Sequence, residues 1–157
     1  MSPLLLAALT AGPVRAADPQ FQVCLGPSGT VDAALTADWQ RRLQTSEAAA
    51  VGVLVGSWVN ESYNATVNMT VTTRISYLAT GVMDFSTRTC STMMGYTSCS
   101  DDMGHGLFTA HAQPDGSLFV TRNISSLTRT SQCGGNGVRQ QGDTLVDSQG
   151  GVWTRLR

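Results

Sequence analysis

The chain has 157 residues, enough for one domain and a short leader, and is 41% apolar and 13% charged. That is too apolar for a disordered chain and too poor in charge for a long helical bundle. The formal net charge of −1, with no basic run and with Arg supplying all ten basic residues, argues against a nucleic-acid or anionic-membrane surface.

Residues 1–17, MSPLLLAALTAGPVRAA, read as an export signal. Leu4 to Leu9 form a short apolar core, and Ala16 and Ala17 place small residues ahead of Asp18 for cleavage. The run is far too short to cross a bilayer, so no transmembrane segment is expected, and the product would be secreted or periplasmic. Residues 18–52 read as an N-terminal arm and helix. Phe21 and Val23 alternate ahead of a Gly26–Gly29 turn. A helix is then predicted from Asp32 to Ala50, with Leu35, Trp39 and Leu43 on one face, Thr36 as its cap and Gly52 as its end.

From Val53 to Arg157 the period changes to two, which predicts a β domain over 53–157. Over Val67–Ala79 the odd positions Val67, Met69, Val71, Thr73, Ile75 and Tyr77 form one face, and the even ones are mostly polar. Met83, Phe85 and Thr87 carry the alternation back after a turn at Gly81. A loop between Cys90 and Cys99 is expected next, followed by strands at Leu107–Gln113 and Leu118–Ile124 around Pro114-Asp115-Gly116. Gln132–Gly137, with three glycines, reads as a loop. Val138–Gln141, Thr144–Asp147 and Val152–Arg157 complete about eight strands. The fold class is therefore all-β, an antiparallel up-and-down meander with one N-terminal helix. Closure into a small barrel would remove the edges that invite aggregation.

Cys24, Cys90, Cys99 and Cys133 are even in number and form no CxxC, as suits disulfides in an oxidising compartment. Three pairings are possible. Cys90 and Cys99 are close enough in sequence to find one another, which leaves Cys24 with Cys133.

Gly56-Ser57-Trp58 stands at the start of the first strand after a helical lead-in, and Arg155 stands on the last. In these residues the chain resembles the lipocalin and calycin small barrels. The resemblance implies that Trp58 sits inside the closed end with Arg155 over its ring. It also implies an interior that accepts a small apolar ligand, with Met69, Val71, Ile75, Tyr77, Met83 and Phe85 as candidate lining residues.

Chemistry is poorly signalled. Met93, Met94, Met103, Cys99 and His105 are residue types that soft Cu(I) selects, but without a regular spacing no bound metal or other cofactor is expected. Asp101-Asp102 lacks the spaced oxygen ligands of a calcium loop. His105 and His111 are the only histidines, and no Gly-x-Ser-x-Gly elbow is present, so no catalytic residue is assigned. Sequons occur at Asn60, Asn64, Asn68 and Asn123. Parity suggests that the first three point outward, as a glycosylated face would in a eukaryotic secretory protein. The expected function is an exported binding module for a small apolar ligand. The alternative is an extracellular interaction protein such as a hydrolase inhibitor, and a small enzyme comes third.

Overall fold

In a computed structural model, residues 18–157 are described. The export signal read at residues 1–17 lies outside them. After a short 3-10 turn at Pro19–Phe21 come two helices, α1 (Ala33–Thr45) and α2 (Ala48–Leu54). Eight strands follow: β1 (Gly56–Asn64), β2 (Met69–Tyr77), β3 (Val82–Met93), β4 (Tyr96–Ala112), β5 (Leu118–Ser126), β6 (Gln132–Gln141), β7 (Thr144–Asp147) and β8 (Val152–Arg155). Each pairs antiparallel with the next, and β1 pairs with β8 through Trp58↔Arg155 and Val59↔Thr154, so the meander is a closed barrel.

The single helix expected over Asp32–Ala50 is two. Asp32, rather than Thr36, caps α1 by accepting the Leu35 amide at 3.0 Å, while the Thr36 hydroxyl accepts the Cys24 amide. The break at Ser46-Glu47 has a tertiary cause. The Ser46 hydroxyl accepts the Ala110 amide, and the Glu47 amide donates to the Ala110 carbonyl. Helix α2 then continues through the exposed Gly52 to Leu54, because burying Val51 and Leu54 outweighs the roughly 1 kcal/mol propensity cost of one glycine.

The two helices do different jobs. Helix α2 plugs the lower end of the barrel, adding Ala50, Val51 and Leu54 to a core with Trp58, Tyr77, Met83, Phe108, Val120, Val138 and Leu145. Helix α1 lies outside, against β4 and β5. Its Trp39 is buried and donates from Nε1 to the Phe21 carbonyl at 2.7 Å, and Arg42 sits 4.6 Å from the Phe119 ring centroid. The arm is fastened by the Cys24–Cys133 disulfide and by Asn123, whose Nδ2 donates to the Phe21 and Val23 carbonyls.

Two expected loops are strands. Cys90 and Cys99 are direct partners in the β3–β4 ladder and are joined by the second disulfide; only Met94 and Gly95 separate the strands. Gln132–Gly137 belongs to β6 and pairs residue by residue with β5. Of its glycines, Gly135 has a packing role. A Cβ on Gly135 would stand 2.9 Å from the Phe119 ring and 3.1 Å from the Thr121 hydroxyl.

Strands β3 and β4 are 12 and 17 residues long, against 4 each for β7 and β8. The upper halves of β1–β4 therefore stand above the rim as a four-stranded flap. Inward parity, fixed by Trp58, Ile75, Phe85 and Gly104 in register, places Asn60, Ser62 and Asn64 on its inner face. The outward orientation expected for Asn60 and Asn64 is thus corrected, because even positions of β1 pair with odd positions of β2. Asn68 lies in the turn, and Asn123 is fully buried.

Candidate ligand-binding cavity

The barrel's lower end is sealed by an interlock of backbone and side chain. Gly56 has φ of +126°, and a Cβ there would meet Arg155 Nη1 at 2.6 Å. Only glycine therefore lets the Arg155 side chain cross the start of β1. Arg155 reaches over it, donates to the Val55 carbonyl at 2.8 Å, and sits 4.3 Å from the centroid of the Trp58 ring. Trp58, 1% exposed, donates from Nε1 to the Leu54 carbonyl at 2.7 Å and so ties the barrel to its plug.

Above this floor the barrel holds a cavity of about 440 Å³, within the usual range for small-molecule sites. Leu54, Trp58, Ile75, Tyr77, Ile124, Val138, Leu145 and Trp153 give it apolar lining, and Arg129, Gln132 and Gln149 also border it. Of the residues proposed from sequence, Ile75 and Tyr77 line it. Met83 is buried in the core and Phe85 packs against that core. Met69 and Val71 have inward parity but stand on the flap, above the closed part of the barrel.

The sequence reading missed the polar wall formed by Arg122, Asn136 and Asp147. From β5, Arg122 donates through Nε and Nη2 to the Tyr77 hydroxyl at 2.9 and 2.6 Å, and through Nη1 to Asn136 Oδ1 at 2.6 Å. Asp147 accepts the Gln149 and Gly151 amides on Oδ1 and the Trp153 indole N–H on Oδ2. Desolvation alone would raise the Asp147 pKa. The Trp153 bond, the two backbone donors and the Arg122 charge outweigh it and hold the carboxyl below the usual range. A signal for Arg122 was present in the sequence, since it shares parity with Leu118, Val120 and Ile124 and is the one charge on that face.

The other candidate groups are not brought together. Met94 is 96% exposed at the flap tip, and His105 lies about 30 Å along β4 from Tyr96 at strand spacing. His105 instead meets Gln20 and the Phe21 ring. Among the described residues, no group of three or more His, Cys, Asp or Glu could hold a metal ion. His111 Nε2 is 3.0 Å from the Thr45 hydroxyl, but its Nδ1 is buried without a partner, so no acid orients it. Asp102 accepts hydroxyls from Ser126 and Thr128. No helix of the described residues is long and apolar enough to cross a membrane.

No protein-family model, curated protein or solved structure matches the chain. The closed eight-stranded meander agrees with the lipocalin-like resemblance at the level of architecture.

Proposed function

We propose that this chain is an exported binding module that holds one small ligand inside its barrel. The observation that carries this reading is the cavity of about 440 Å³ above a floor sealed by α2 and the Trp58–Arg155 pair. The sides are mainly apolar, which suits a ligand with an apolar body. The paired cysteines suit an oxidising compartment, secreted or periplasmic. A binding role is preferred to catalysis, since neither histidine stands beside both a nucleophile and an orienting acid.

Native mass spectrometry of the protein from its own source tests the reading, alongside titration with an environment-sensitive dye. One co-purifying small molecule, or dye binding abolished by the cavity-filling substitution Leu145→Trp in a protein that still folds, supports it. Neither a bound mass nor saturable dye binding would defeat it. A second reading, an interaction protein such as a hydrolase inhibitor, is favoured by the projecting flap with Met93, Met94 and Tyr96 exposed at its tip. Loss of partner binding on truncating those side chains, with the cavity intact, would select it.

A further inference from the structure

We infer that the cavity selects a monocarboxylate, with the carboxylate on Arg122 and Tyr77 and the apolar body against the apolar lining of the cavity; this rests on the reading of the cavity as a ligand site. The inference comes from counting donors against acceptors on the polar wall. A guanidinium has five N–H groups. Three are committed, two to the Tyr77 hydroxyl and one to Asn136 Oδ1, which leaves one on each terminal nitrogen. The Tyr77 oxygen accepts twice, and its own proton has no acceptor among the described residues.

The acceptors on that wall are already engaged by other donors. Asp147 is the one carboxylate lining the cavity, and three N–H donors from Gln149, Gly151 and Trp153 occupy it. No guanidinium nitrogen of Arg122 lies within ion-pair distance of a carboxylate among the described residues. Arg122 is therefore held by neutral partners, its Cζ 5.7 Å from the Tyr77 ring centroid. Arg129, which also borders the cavity, adds a second positive charge.

A carboxylate fits this surplus in number and charge. Its two oxygens accept the two remaining guanidinium protons or one of them and the phenol proton, and its single charge matches the excess of one left by Arg122 and Arg129 over Asp147 in the cavity lining. An alcohol brings no charge, and an amine is repelled. A phosphate monoester would bring a second negative charge toward Asp147. Beside Arg122 and Tyr77, the residues Ile75, Leu145, Trp58 and Trp153 line the same cavity and receive the apolar remainder.

The test uses the folded, disulfide-bonded protein, stripped of any co-purified small molecule and titrated with dodecanoate, dodecanol and dodecyl phosphate by calorimetry. Dodecanoate should bind at least about tenfold more tightly than dodecanol, the scale of a charge-assisted hydrogen bond. Arg122→Gln should erase that gap by weakening dodecanoate binding about tenfold. Should this variant not fold, Tyr77→Phe keeps the ring in place and should weaken dodecanoate binding selectively. Equal binding of dodecanoate and dodecanol would overturn the carboxylate assignment while leaving the cavity a ligand site. Tighter binding of dodecyl phosphate would overturn it in favour of a dianion. Failure of all three to bind would remove this inference and the ligand-site reading together.

Discussion

At the lower end, β1 to β4 turn Trp58, Tyr77, Met83 and Phe108 inward, and every one is buried. Higher on the same strands, Ser62, Val71, Thr89 and Ser100 occupy the same face and are half-buried or exposed. The ladder is continuous through both regions, with β3 and β4 in unbroken register from Val82↔Leu107 to Met93↔Tyr96. The difference is what stands opposite. Below, β5–β8 close the wall and α2 fills the end; above, the β4–β5 ladder has ended at Gly104↔Ser126 and the β1–β8 ladder at Val59↔Thr154. Alternation therefore reports which residues share a face, whereas burial depends on the length of the strands across the barrel.

This contrast sets where stability resides, and it can be broken by substitution. The largest effect is expected from joining the arm to the barrel. Replacing Cys24 and Cys133 by Ser opens a loop with a separation of 109 residues and should cost about 4–5 kcal/mol by chain entropy, read as a fall in chemical-denaturation midpoint. Next comes the closed end. Trp58→Ala should cost roughly 3–5 kcal/mol because it empties a packed site and strands the Arg155 guanidinium over a void. The matched change on the flap, Tyr96→Ala, removes an 83% exposed ring and should stay within about 0.5 kcal/mol. Equal costs for these two would refute the contrast.

The flap's own disulfide should matter less than that of the arm. Cys90 and Cys99 are 9 residues apart and already paired by the ladder, so replacing both by Ser should cost about 3 kcal/mol or less. Hydrogen exchange should then quicken in Thr87–Met103 and leave β5–β8 unchanged.

The smallest effect concerns pH. The Asp147 carboxyl titrates lower in the folded barrel than in the unfolded chain, so its contribution is present above the unfolded value near 4 and fades as pH falls through the lower folded value. In denaturation from pH 6 to pH 2, Asp147→Asn should flatten the acid limb of the stability curve. An unchanged acid limb would show that other carboxylates govern it.

Much of this architecture is legible in the sequence. Period-two patterning over Met69–Tyr77 and Leu118–Ile124, and the turn signal at Pro114-Asp115-Gly116, predicted strands that are present. Four cysteines with one short spacing led to the pairing observed. The failures share a cause, which is tertiary contact that local pattern does not encode. Three glycines in Gln132–Gly137 imitate a loop, yet all three lie in β6, where Gly135 packs beneath Phe119. The Ser46-Glu47 break is imposed by Ala110, 64 residues from Ser46. The polar wall is assembled from β2, β5, β6 and β7, so Arg122 stood out only as a charge on an apolar face, while Asn136 and Asp147 gave no local sign.

Asn123 carries a practical consequence for producing the protein. It begins an Asn-Ile-Ser sequon, yet its side chain is 0% exposed and both amide protons are donated, to the Phe21 and Val23 carbonyls. A glycan is attached through that same nitrogen and would occupy the space where the N-terminal arm docks. In a host that glycosylates chains as they enter its secretory compartment, modification of Asn123 before folding would compete with docking of the arm and with closure of Cys24 on Cys133. Material from such a host should divide into a folded fraction bare at Asn123 and a glycosylated fraction with reactive thiols. An oxidising host without that machinery is the better source.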